Sequence, residues 1–168
     1  MSDTTSTHQR VMNMIARGRL SATNDNEGMQ FAQLSLLRDE TKANVERFQQ
    51  YGFSSVPPAG SEAVVLFVGG NRDHGIIMSI DNRASRIRGQ VPGEVALYSN
   101  EGDFIVLKRG NQIEMGTDRL LIRADVEVTI EVPRLIIRCP DITIEGNMNV
   151  SGTINANTVN APNGHVGQ

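Results

Sequence analysis

Three short stretches hold the residue types from which chemistry could be built. "GGNRDHG" sets Asp73 and His74 among glycines. A carboxylate beside an imidazole can relay protons or hold a metal, but glycines on both sides are the signature of a turn, and a hairpin turn is the expected role. The preceding Val-Gly-Gly is no phosphate cradle, since it lacks the Gly-Lys-Ser/Thr ending and a following helix. Cys139 is the only cysteine, with no nearby His or Asp in an enzyme-like arrangement, so it is expected as a small buried apolar residue. His165 stands alone near the end, in "APNGHVGQ". Ser, His and Asp are all present, but no paired carboxylates or triad spacing single any of them out. The expected catalytic, cofactor and metal residues are therefore none, and the chain is not expected to be an enzyme.

A second kind of chemistry, base or sugar stacking, would need aromatic platforms. Phe31, Phe48, Tyr51 and Phe53 are candidates, but aromatics make up 4% of the chain and Trp is absent. The net charge of −3 opposes a phosphate backbone, so no nucleic-acid partner is expected. One cysteine excludes an intrachain disulfide, which suits assembly in a reducing cytoplasm. The N-terminus lacks an apolar signal core, and no stretch approaches the ~18 apolar residues of a membrane span.

The elements follow from periodicity and turn residues. His8 to Arg19 reads as a short helix ended by Gly18, with Val11, Met14 and Ile15 on one side; too small to stand alone, it is expected to dock on a partner. Five β segments follow: "GRLSATND", "MQFAQLSLL", "ERFQQYGFSS", "SEAVVLFVGG" and "HGIIMSID". Short strands with local turns suggest a small closed barrel of the OB type. "RDETKANV" is either a helical turn or a loop. "ASRIRGQ", "GEVALYSN", "DFIVLKRG" and "NQIEMG" form a linking meander. The expected domains are 1–18 for attachment, 19–81 for the barrel, 82–116 for the collar, 117–161 for a β tail and 162–168 for a tip segment.

The tail poses the largest question. Val126, Val128, Ile130 and Val132 share one parity, Leu135, Ile137 and Cys139 the other, and Ile142 and Ile144 return to the first. Pro133 and Pro140 sit at the switches, where a strand turning a corner tolerates them. Period two demands one buried face, yet nothing follows to cover it. A lone meander cannot bury that face, and a single-chain β-helix needs more repeats than this length holds. Three copies around one axis solve both problems: apolar faces meet inside a prism and neighbours pair the strand edges. The taper from Leu and Ile at Leu120 to Asn, Thr and Ala at Ala161 fits a narrowing interior.

At "YGFSSVPPAGSEAVVLFVGGNRDHG", "GEVALYSNEGD" and "LKRGNQIEM" the chain resembles the central-spike proteins of contractile phage tails, the baseplate assembly protein V family of Mu-like phages. The resemblance spans about residues 10–120 by motif and the remainder by pattern. It implies an all-β homotrimer, with an N-terminal OB-fold barrel followed by an intertwined triple-stranded β-helix. It implies a place in the virion baseplate, attachment to a tail hub protein, and a β-helix that pierces the host outer membrane when the sheath contracts. Such spikes often end in His-x-His, which holds an axial iron. Here His165 is single, and three copies supply three nitrogens where octahedral coordination wants six ligands. His165 is expected as a plain tail histidine, and a separate small tip protein is a further expected partner at the apex. The competing readings are an OB-fold module binding single-stranded nucleic acid or glycan, and a glycan-cleaving trimeric fibre.

Overall fold

The computed structural model describes residues 2–36 and 40–158. The chain divides into two compact units, Met1–Ile122 and Arg123–Gln168. In the first, helix α1 (Ser2–Met12) is followed by β1 (Ile15–Asn24), β2 (Gln30–Ser35), β3 (Thr41–Arg47), β4 (Glu62–Phe67) and β5 (Gly75–Asp81). These five strands close a barrel in the order β1-β2-β3-β5-β4. Every pairing is antiparallel except β3 with β5. This five-stranded closure is compatible with the expected OB-fold.

Alternation fixes which residues fill the barrel. Ala32 and Leu34 of β2 and Ala63, Val65 and Phe67 of β4 point inward with Leu20, Val45 and Ile77, all buried. Val64 and Leu66, of opposite parity, face out. Two polar groups are buried with partners. Ser61 Oγ donates to the Pro58 carbonyl at 2.6 Å and accepts from Asn82 Nδ2 at 3.0 Å. Gln30 Oε1 accepts from Arg47 Nη1 at 2.5 Å, and Arg47 also donates to the Ser55 carbonyl and hydroxyl. This fork holds the base of the long β3–β4 loop. Burial pushes the Arg47 pKa down from its ordinary value, opposed by Asp25.

Several expectations are corrected. The helix lies at Ser2–Met12 rather than His8–Arg19, and Ile15 already belongs to β1. Gly18 ends no helix. It sits inside β1, where a Cβ would lie 2.5 Å from Leu36 Cδ2 and 2.9 Å from the Ser35 carbonyl oxygen. The barrel therefore requires glycine there for close strand approach. Of "RDETKANV", Thr41 to Val45 lie in β3, and Arg38 and Asp39 lie outside the described residues. "ERFQQYGFSS" contributes only Glu46 and Arg47 to a strand. A bulge hid β3: the register with β2 shifts between Ala32 and Leu34, and Asn44 there takes a left-handed φ of 55°. Alternation is broken, and Val45 is the only residue of β3 that is fully buried.

Past the barrel, "ASRIRGQ" forms no strand but a turn segment, with Asn82 Oδ1 accepting from the backbone N–H groups of Ala84 and Ser85. A separate antiparallel sheet follows: β6 (Val95–Tyr98), β7 (Phe104–Lys108) and β8 (Gln112–Gly116). Gly116 lies against the Phe104 ring, where a Cβ would approach to 2.6 Å. Thr117 Oγ1 donates to Asp103 Oδ1 at 2.8 Å and fixes where the chain leaves the sheet.

Residues 117–161 were expected as a triple-stranded β-helix. The single chain has no strand ladder there: among the described residues, none from Thr117 to Thr158 pairs in a sheet. The path carries no assigned element and is interrupted by bends. Among the described residues no helix is long and apolar enough to cross a membrane.

Candidate functional site

The polar candidates resolve into structural roles. Asp73 and His74 occupy the turn joining β4 to β5, after a short 3-10 turn at Val68–Gly70. His74 N–H donates to the Asn71 carbonyl and its own carbonyl accepts from Val68 N–H, both at 3.0 Å. Asp73 accepts from Lys42 Nζ at 2.9 Å, which holds its carboxyl below the usual range. Glu40 pairs with Arg72 and Lys42 alongside, and the Arg72 guanidinium stacks 4.1 Å above the Phe67 ring. These contacts tie β3 to the turn as the expected hairpin role requires. Among the described residues no group of three His, Cys, Asp or Glu side chains is placed to hold a metal.

A second charged cluster rivets the barrel seam. Glu62 on β4 accepts from Arg83 Nε and from Arg17 Nη2, each at 2.5 Å. The two guanidiniums bring its pKa down to about 2, Arg83 contributing most. The arrangement is a surface clamp between β1, β4 and the segment after β5.

The aromatic candidates do not form a basic platform. Phe31 is half-buried, while Phe48, Tyr51 and Phe53 are exposed. Arg47, the chain neighbour of Phe48, is committed to Gln30 and Ser55, and no Lys or Arg lies between Phe48 and Ser61, whereas phosphate tracking needs cations beside the stacking rings.

The feature that sets this molecule apart lies in its second unit. Val126, Val128, Ile130 and Val132 are all exposed, Val126 at 95%. So are Leu135, Ile137, Ile142, Ile144, Met148 and Val150. Cys139, expected buried, is likewise exposed in the single chain. Bends fall at Asp125–Val126, Pro133, Pro140, Gly146, Ser151–Gly152 and Asn157. Pro133 and Pro140 thus sit at the corners where the parity switches. The later corners at Gly146, Ser151–Gly152 and Asn157 carry no proline and were not read from the sequence. Their signal was the recurrence of Gly, Asn and Ser at similar intervals. Between the corners lie straight legs of a few residues, without backbone pairing inside the chain. Backbone groups and aliphatic side chains so displayed are a surface made to be covered. His165 lies outside the described residues.

A family model described as "Bacteriophage Mu Gp45, N-terminal" matches residues 17–84, the barrel and the segment after it. The "Baseplate puncturing device gp45" of Escherichia phage Mu is 34% identical over 144 residues, covering 86% of this chain and 73% of that protein. The chain belongs to the Mu Gp45 family. The "Mu-like prophage FluMu protein gp45" of Haemophilus influenzae is 32% identical over 139 residues, 83% of this chain and 75% of that protein. Both likenesses extend well beyond the barrel, so the Gp45 relationship includes much of the chain outside residues 17–84. As a Gp45 protein the chain is a phage tail component.

Proposed function

We propose that three copies of the chain form the central spike of a contractile-tail baseplate, attached to the tail hub through the N-terminal region. The second units wind into a triple-stranded β-helix that pierces the host outer membrane. The observation carrying this reading is the bent, unpaired, wholly exposed aliphatic path from Arg123 to Thr158. Three such paths around one axis would give each leg a neighbour to pair with and each apolar face a dry interior. The name of the phage Mu relative, a baseplate puncturing device, agrees with a part that acts by shape and stiffness. No step of bond chemistry is assigned to it.

Native mass spectrometry of the full chain tests stoichiometry, with three copies expected. A chain truncated after Gly116 should fall to monomers at micromolar concentration, because the tail supplies most of the shared surface. Trimers of undiminished stability from the truncated chain would sink the reading.

A further inference from the structure

The sheet β6–β8 has one face of a single chemical kind. Direct cross-strand partners share a face. Val95 pairs with Leu107 and Leu97 with Ile105; Ile105 in turn pairs with Met115 and Leu107 with Ile113. All six side chains therefore project to one side. Ile105 is half-buried, and the other five remain 44–66% exposed. The opposite side carries the charges of the sheet, Lys108 ion-paired to Glu114, and the buried Val106. A three-stranded sheet normally wets one polar face and covers the apolar one. Here the aliphatic face is left to water in the single chain.

We propose that this face is an interchain contact, covered in the assembled protein by the same sheet of the two other copies. The inference rests on the trimeric reading above and adds a second contact to it. Three observations select this occupant. First, the face bears no charged or hydrogen-bonding side chain, so a polar partner surface finds nothing to recognise, whereas an aliphatic face complements itself. Second, the five exposed members leave on the order of 400 Å² of apolar surface in water, the size of the largest patch on a typical monomer, which is often a functional one. That is about half of the ~800 Å² per partner that a stable interface buries. The face thus suffices only as part of a larger interface. Third, it runs on toward the tail: Leu97, Ile105 and Met115 share a groove of about 500 Å³ with Leu120 and Leu121, both exposed. Copies whose tails share an axis are tethered within a few residues of these sheets, at no more than ~3.6 Å per residue.

Single thiols on the two faces test this in the full chain carrying Cys139→Ser. Ile113→Cys reports the aliphatic face, and Gln112→Cys the opposite face. Native mass spectrometry of each variant is run alongside maleimide labelling. Gln112→Cys should label quickly in the trimer. Ile113→Cys should label at least about tenfold more slowly, since reaction must await opening of a buried contact. Equal rates in a chain that still weighs three copies would overturn the sheet contact and leave the trimeric spike standing. Equal rates in the purified trimer with protection of Ile113→Cys only in assembled tails would assign the face to a different protein. A chain of single-copy mass would overturn both readings.

Discussion

At pH 7 Glu62 is a carboxylate held between Arg83 and Arg17. Its folded pKa of about 2 lies below the ordinary 4.5. A depressed carboxylate adds stability that is fully present above the unfolded value and is lost as pH falls through the folded one. The stability difference between the natural chain and Glu62→Gln should therefore be constant above about pH 5 and shrink from pH 4.5 toward 2. Urea midpoints across that range measure it; a difference that persists unchanged at pH 2 would show that the substitution perturbs something other than the clamp. Glu62 is half-buried but both guanidiniums are exposed to solvent, so the effect is a small one. Other single residues act through space. Gly70, with φ at 72°, lets the Val68–Gly70 turn meet the backbone of α1, where a Cβ would stand 2.2 Å from the Arg10 carbonyl oxygen. Charged Asp73 and flanking His74 were visible in the sequence as a possible site, but the partner of Asp73, Lys42, is 31 residues away and no local pattern reveals it.

Among the elements, α1 and the tail carry the functional expectations. Met12, Val11 and Met14 remain exposed after α1 has docked on the 3-10 turn, which leaves apolar surface for a further partner. Phe67 N–H donates to the Met14 carbonyl at 2.8 Å, and Ile15 pairs with Leu66, so a deletion that spares the barrel must stop before Met14. Removing residues 1–12 should leave a soluble, folded trimer that fails to enter tails, scored by its presence in purified particles. Normal incorporation would remove the attachment role. In the tail, Ile130 and Ile144 are expected to face the axis. Ile130→Asp would gather three carboxylates in a dry core, opposed by desolvation and like charge. It should abolish or severely weaken the trimer in size-exclusion chromatography with light scattering, whereas Glu127→Lys on the other parity should be nearly neutral. Equal damage from both would mean that the inward face is misassigned.

For the whole molecule the proposed work is mechanical. Interwound strands open only when many interchain hydrogen bonds and apolar layers separate together, which makes stability a matter of unfolding rate. The full-length trimer should run as a trimer in SDS gels without heating and as a monomer after boiling. Ready dissociation in cold SDS would argue against an interwound tail.

Periodicity and turn chemistry alone determined much of this protein. Four of the five barrel strands, the three strands of the following sheet and the proline corners of the tail all announce themselves locally. Alternation and Gly, Pro and Asn placement are short-range signals. The apolar parity of the tail was legible too, and it is the ground on which the trimer is proposed. Tertiary structure decided what depends on distant neighbours. It placed Gly18 in a strand, paired with Ala63, where Leu36 and Ser35 leave no room for a Cβ. It made a strand of Thr41–Arg47 across a bulge that breaks alternation. It brought Val95, Leu107 and Ile113 onto one face, because strand register, which no short stretch of sequence encodes, decides which aliphatic residues become neighbours.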